Sequence, residues 1–404
     1  MSTLSHTGIT RRAALSATAA GGALAAAGLV PPAAQAAYPA ILKPTPGDRF
    51  VDFGTNAEMR WDSVRAHRYL TGQQRLFVRN HTSTPLIDRS TWRLRVFGDG
   101  LATPRPETEA LSLSWSDLRA LPRATVESVH ECTGNGRSFF SSQQGRAASG
   151  TAWTLGAVGT VAWEGVRLRD LLKSIGLAPD AVSIQATGLD PHFVSGGVDY
   201  GPVRRPFPVY KALRDAVLAW GANGQPLLPD HGYPLRLVLP GWVGIGSIKW
   251  LGSLEVARTE LFSPWNTKWY RMTGGSYSAT EPPLTTNPVR SAWALASGAT
   301  LAAGRSHRLQ GRAWSGAAPI EKVKVSLDGG NTWQRAELED DRSSTVRGHG
   351  WSRFSVTWDR PKAGSYQLLA RATDAKGRTQ PLVTPYNDNG YFFDAVVRHP
   401  VTVA

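Results

Sequence analysis

The chain has one cysteine in 404 residues, Cys132. That excludes an intrachain disulfide, and it excludes the CxxC and CxxCH patterns of dithiol redox sites and covalent haem attachment. Acidic residues are also scarce, with 31 Asp and Glu against 45 Lys and Arg, a formal charge of +14. The arginines are scattered, there is no lysine-rich run and no recognisable nucleic-acid module, so a nucleic-acid role is disfavoured. An anionic surface or a small anionic ligand remains. Long apolar runs are missing as well. The nearest approach, close to the N-terminus, is alanine-rich, interrupted by glycine, serine and threonine, and stopped by Pro31-Pro32. A membrane-spanning helix needs about 20 strongly apolar residues, so a mature soluble chain is expected.

The N-terminal stretch reads instead as an export signal. It has a polar start, the pair Arg11-Arg12, and Ala34-Gln35-Ala36 ahead of Ala37. These fit a twin-arginine signal peptide over residues 1–36, with export to a periplasmic or extracellular location. Its removal takes away the two charges of Arg11 and Arg12 and lowers +14 to +12. The twin-arginine route carries folded proteins, often because a cofactor is inserted before export.

An apolar fraction of 41% and fifteen tryptophans argue for packed cores, while 27 prolines and 41 glycines argue for turns and short strands. A chain of this length holds about two or three domains. Residues 37–280 mix apolar strands such as PLRLVLP and IKWLGSLEV with a helical pattern in VAWEGVRLRDLLKSIGL, an α+β reading. After the turn-rich stretch Thr273 to Arg290, residues 281–404 become short alternating strands: HRLQGRAWSG, KVKVSLDGG, RFSVTWD, SYQLLARATD and YFFDAVVRHPVTV. Turns at Asp328-Gly329-Gly330-Asn331 and Pro361-Lys362-Ala363-Gly364 have the spacing of a β-sandwich.

The single thiol lies in HECTGNGRSFF, His130 to Phe140. It has three readings. It is a buried inert thiol; or a nucleophile served by His130, which a strand would place on the same face; or a thiolate metal ligand. The turn Thr133-Gly134-Asn135-Gly136 lets the backbone approach a large ligand, and Arg137 adds charge. HExxH fails because position 134 is glycine, and GWVGIG, Gly241 to Gly246, does not complete GxGxxG.

Four motifs in order resemble the sulfite oxidase family of molybdenum enzymes: FVRNH (Phe77 to His81), ECTGNGR, a GLD ending at Asp190, and NGQPLLPDHGYPLRLVLPGWVGIGSIKWLG (Asn223 to Gly252). GRAWSG and KVSLDGGNTW, Lys324 to Trp333, resemble that family's immunoglobulin-like dimerisation domain. The resemblance implies a sulfite oxidase-type molybdopterin domain followed by an immunoglobulin-like β-sandwich, a homodimer, and a molybdenum–molybdopterin cofactor with Cys132 as the one protein ligand. Phe77, Val78, Arg79, Asn80 and His81 match the segment lining cofactor and substrate. Asp190, His231, Arg236, Ser247, Ile248 and Lys249 match pterin and phosphate contacts. Arg79, Arg137, Trp153 and Tyr270 match the substrate pocket, the two arginines as an anion clamp, Trp153 as its wall and Tyr270 as the tyrosine beside the metal. Taken singly, Arg79 and Arg137 read equally as surface charge, Trp153 as core and His231 as a turn residue.

The implied activity is oxidation of sulfite to sulfate, with electrons passed to a separate acceptor, a cytochrome c or oxygen, because no haem region is present. The chain departs from the pattern at Thr133, where alanine is usual, at Gly136, where a second arginine is usual, and at Tyr386 in place of tryptophan. Trp153 also lies two residues further from the cysteine. These departures leave the substrate open, with a sulfane dehydrogenase-type subunit acting on another sulfur species and the related nitrate reductases as alternatives; a metal-free binding protein of the same fold and a cysteine hydrolase are rivals from other classes.

Overall fold

The structure is a computed structural model that describes residues 40–64, 68–339 and 349–404. The expected signal at 1–36 lies outside them. Tyr38–Ala404 forms one compact unit.

Two five-stranded sheets carry the first part. In one, the order is Arg204–Pro208, Ser183–Gly188, Leu251–Ala257, Leu94–Phe97, Leu111–Leu113, with a single parallel pair between Leu251–Ala257 and Leu94–Phe97. In the other, Gln225–Pro226, Val217–Ala222, Val158–Arg167 and Arg123–Glu131 run antiparallel, and Arg236–Val238 joins Val217–Ala222. The helices Leu168–Ile175 and Val209–Arg214 cover the first sheet, burying Leu171, Leu172, Val209 and Ala212 in its core.

The run Val161 to Leu177, expected to be helical, is split. Val158–Arg167 is a strand, buried along almost its whole length, and the helix begins only at Leu168. Its valines, tryptophan and glycines suit a strand sandwiched on both faces, where a continuous apolar run carries no period to separate it from helix. Arg167, extended at φ −70° and ψ 135°, is the break.

The remainder is the expected β-sandwich, completing an α+β architecture. One sheet orders Arg290–Trp293, His307–Trp314, Ser352–Trp358 and Glu337–Glu339; the other orders Ala299–Leu301, His399–Val403, Gly364–Asp374, Ile320–Ser326 and Gln334–Arg335. Between them lie Trp293, Val323, Val325, Phe354, Leu368 and Val401. The last expected strand, Tyr391 to Val403, is strand only over His399–Val403. Upstream, Phe393, Ala395 and Val397 pack as irregular chain into a core shared with Phe50, Met59, Trp61, Val129 and Phe140. That shared core joins the two halves, and the Trp61 indole donates to the Trp293 carbonyl across it at 2.6 Å. Among the described residues no helix is long and apolar enough to cross a membrane.

Candidate functional site

A cleft with about 690 Å³ of atom-free space gathers side chains from five separate stretches of the chain. Cys132 enters it directly after the strand Arg123–Glu131. Its backbone N–H donates to the Ala157 carbonyl at 2.9 Å, and the following turn closes through Asn135 N–H to the Cys132 carbonyl, 2.9 Å, and Arg137 N–H to the Gly134 carbonyl, 2.9 Å. Gly136 adopts φ +85°, and a Cβ there would meet the Arg290 guanidinium at 2.7 Å. Glycine takes that conformation without strain. Burial pushes the Cys132 thiol up, while the charges of Arg79 and Arg137 pull it back.

The strand Val78–Arg79 supplies a second wall. Alternation sends Phe77 and Arg79 to the cleft and Val78, fully buried, away from it. Phe77 stacks on His130 with 5.6 Å between centroids. Asn80 accepts from the Lys249 ammonium and donates to Thr84 Oγ1 at 2.9 Å. His81 Nε2 accepts from the Trp265 indole N–H at 3.1 Å, with the Tyr270 hydroxyl at 3.5 Å. Burial, helped by Arg79 and Lys249, holds the His81 imidazolium well below its usual range, so the ring is neutral.

The floor is cationic. Arg236 comes from the strand Arg236–Val238 and is 1% exposed. It donates to the carbonyls of His231, 3.0 Å, and Ser247, 3.1 Å, lies 3.2 Å from His130 Nε2, and sits over the Trp163 ring. Burial alone pushes its guanidinium down to about 9. Lys249 donates to the Asp230 carbonyl at 2.8 Å, and burial, with Arg236 second, holds its ammonium well below the usual range. Neither cation makes an ion pair with a carboxylate among the described residues. Ser247, Ile248, His231 and Asp190 complete this side. Asp190 is pushed up to about 6 by burial, and its Oδ1 has no partner; Thr133 Oγ1 and Arg236 Nε are in the same position. Buried polar atoms of this kind normally pair. The cleft therefore suits a polar, anionic ligand offering both acceptors and donors.

Of the residues expected at the site, three do not line it. Arg137 is buried behind the wall, donating through Nε to the Asn389 carbonyl and through Nη1 to the Thr151 carbonyl, both at 2.7 Å. Trp153, 1% exposed, is packed edge-on against Phe53 and Phe77. Val78 supports from within the strand. Conversely, His130, Thr133, Val203, Asp230, Gly244, Ile245 and Trp250 line the cleft. Asp230 and Trp250 sit directly beside His231 and Lys249 in sequence, the one signal that pointed to them. Asp230 is held by the Lys43 N–H at 2.6 Å and by Thr84 Oγ1 at 2.6 Å, so the cleft edge is anchored to the first described segment. Among the described residues no group of three or more His, Cys, Asp or Glu is arranged to hold a metal ion.

Residues 81–265 match the oxidoreductase molybdopterin binding domain, and residues 289–402 match the Mo-co oxidoreductase dimerisation domain. Mouse mitochondrial sulfite oxidase is 32% identical over 328 residues, covering 78% of this chain but only 57% of the mouse protein. Chicken sulfite oxidase is 34% identical over 341 residues, covering 78% of this chain and 69% of its own length. The solved structure of the sulfane dehydrogenase SoxCD from Paracoccus pantotrophus superposes with a TM-score of 0.70 at 24% identity over 86% of both chains, a likeness of fold. With the lone cysteine, the FVRNH strand and the cationic floor meeting in one cleft, the chain belongs to the sulfite oxidase family of molybdenum enzymes.

Proposed function

We propose that the chain oxidises sulfite to sulfate and passes the electrons to a separate acceptor, a cytochrome c or oxygen. One observation carries this reading: the single thiol and the Arg79 guanidinium share a cleft whose floor holds the buried Arg236 and Lys249, which pair with no carboxylate among the described residues. The family's molybdenum–molybdopterin group fits that floor, because the unpartnered Arg236 Nε, Thr133 Oγ1 and Asp190 Oδ1 call for an anionic ligand with polar edges. Arg236 and Lys249 would take its phosphate, Asn80, Asp190, His231, Ser247 and Ile248 its pterin, and Cys132 the metal. When bound, the group supplies a two-electron centre competent for oxygen-atom transfer.

The chain's own residues provide binding and orientation. Arg79 is the guanidinium positioned to hold an oxyanion beside the thiol, by charge-assisted hydrogen bonds. His81 already accepts the Trp265 proton at Nε2, so its own proton resides on Nδ1. The Tyr270 hydroxyl, 3.5 Å from that same nitrogen, makes no strong bond there and keeps its proton for a bound oxygen. Phe77, Ile245, Ile248 and Trp250 give the cleft an apolar side that limits water.

Metal analysis with sulfite-dependent reduction of ferricyanide or cytochrome c tests the proposal on the purified chain. About one molybdenum per chain with turnover supports it. Metal without sulfite turnover favours a sulfane dehydrogenase-type subunit, a reading supported by Arg137, whose Nε and Nη1 are taken up by the Asn389 and Thr151 carbonyls. Protein without metal, from cells that make the cofactor, overturns both and leaves a binding protein.

We also infer export by the twin-arginine route, supported by Arg11-Arg12 and Ala34-Gln35-Ala36, and a homodimer, supported by the dimerisation-domain match. An intact N-terminus in exported protein would refute the first, and a monomeric mass by light scattering the second.

A further inference from the structure

The ring of Tyr391 lies flat against that of Tyr270, centroids 5.3 Å apart and planes 12° from parallel. On another side the Arg137 guanidinium sits 5.7 Å from the Tyr391 centroid. Tyr391 itself is buried and does not line the cleft. Any effect it has on chemistry passes through those two neighbours.

The segment carrying Tyr391 is built to hold it still. Asn387 accepts the Tyr391 N–H at 2.9 Å and donates to the Tyr391 carbonyl at 2.8 Å, so one amide holds both backbone groups. The Phe392 N–H donates to the carbonyl of Thr133, the residue after Cys132, at 3.0 Å. Asp388 N–H and Asn389 Nδ2 reach the carbonyl and hydroxyl of Thr273, three residues past Tyr270, at 2.9 and 3.1 Å. Gly390, at φ +56°, lies where a Cβ would come within 2.6 Å of Arg137 Cγ, so glycine makes the space that Arg137 fills. Meanwhile Tyr270 has φ +58°, a left-handed conformation that non-glycine residues adopt only under external restraint.

We propose that Tyr391 is a positioning residue, supplied by the C-terminal segment, that fixes the Tyr270 phenol in the cleft and pins Arg137 behind it. The stacked ring supplies the restraint that the strained Tyr270 backbone needs. It also caps the side of Arg137 left open by Asn389 and Thr151, which reserves the anion-binding role for Arg79. The catalytic part of this proposal rests on the sulfite reading, whereas the restraint on Tyr270 does not.

The experiment uses the full chain with its cofactor, as Tyr391→Phe, which keeps the ring, and Tyr391→Leu, which fills space without stacking. Each is labelled with 3-fluorotyrosine, and the Tyr270 fluorine signal is assigned by its loss in Tyr270→Phe. In the parent chain and in Tyr391→Phe that signal should be sharp, with the slow ring flipping of a clamped side chain; in Tyr391→Leu it should broaden or shift to an averaged position. With sulfite as substrate, Tyr391→Leu should lower kcat roughly tenfold to a hundredfold, the scale of a misplaced reacting group, and Tyr391→Phe should restore it. An unchanged Tyr270 signal in Tyr391→Leu overturns the proposal, as does equal damage by Phe and Leu. If the fluorine signals behave as stated while the parent chain oxidises no sulfite, the restraint stands and the sulfite reading falls.

Discussion

The Arg290 guanidinium donates to Glu131 Oε1 at 2.6 Å, and both side chains are almost fully buried. Glu131 immediately precedes Cys132, and Arg290 opens the first strand of the sandwich. The other carboxylate oxygen accepts the Trp314 indole N–H at 2.8 Å, while Asn135 Nδ2 adds a bond to Oε1 at 2.9 Å. The cysteine turn is therefore braced from the C-terminal half by a desolvated charge pair.

Removing one partner of such a pair leaves a buried charge alone. Arg290→Met should destabilise the fold by about 3–5 kcal/mol, whereas the double variant with Glu131→Gln should recover part of that loss. Calorimetric melting of the three chains checks this. A single variant that melts with the parent would show that the brace contributes nothing.

Arg79 and Arg236 line the same cleft and should fail differently. Arg79→Gln should retain molybdenum while KM for sulfite rises about tenfold or more, the scale of a lost charged hydrogen bond. Arg236→Gln should instead lose bound cofactor, because its guanidinium lies in the floor among carbonyls. Metal content beside steady-state kinetics separates the two, and an unchanged KM in Arg79→Gln would remove its anion-holding role.

Cys132→Ser is expected to abolish sulfite turnover with little effect on melting, since the turn is held through backbone groups, Cys132 N–H to the Ala157 carbonyl and Asn135 N–H to the Cys132 carbonyl, that the substitution keeps. Turnover retained in the serine variant would end the ligand assignment.

Glu58 makes stability depend on pH. Buried beneath the Thr154–Gly156 turn, it accepts from Thr154 N–H, Thr154 Oγ1 and Gly156 N–H. Burial nonetheless pushes its carboxyl from 4.5 up to about 7, against those bonds and the charge of Arg60. The folded value lies above the unfolded one, so the native state binds the extra proton between them. The stabilising contribution is whole below about 4.5 and is lost as pH rises through about 7. Glu58→Gln should gain on the parent by about 3 kcal/mol across that window. Parallel urea titrations at about pH 4 and about pH 8, on either side of that window, would show no divergence if the carboxyl titrates normally.

The cysteine, the FVRNH strand and the 230–249 region were legible in sequence because each carries several unusual residues at fixed spacing. So were the sandwich strands, whose alternation survives where one face meets a core. Val158–Arg167 was not, since burial on both faces erases the period. Arg137 was legible only in part. Its position in the motif says that it is close to the thiol, but not that the Asn389 carbonyl, more than two hundred residues away, takes up its Nε donor. Tyr391 was invisible for the same reason, as its stacking on Tyr270 is a product of tertiary structure alone.

The core shared by Phe50, Val129, Trp314 and Phe393, together with the Phe392 bond to Thr133, makes the cysteine turn depend on residues far along the chain. A chain cut short ahead of Phe392 would keep every residue of the strand Arg123–Glu131, yet it would have no Phe393 to seat against Phe140 and no backbone donor for the carbonyl beside the thiol. Truncation at the far end of the sandwich would therefore act on the cleft as a mutation in its wall would.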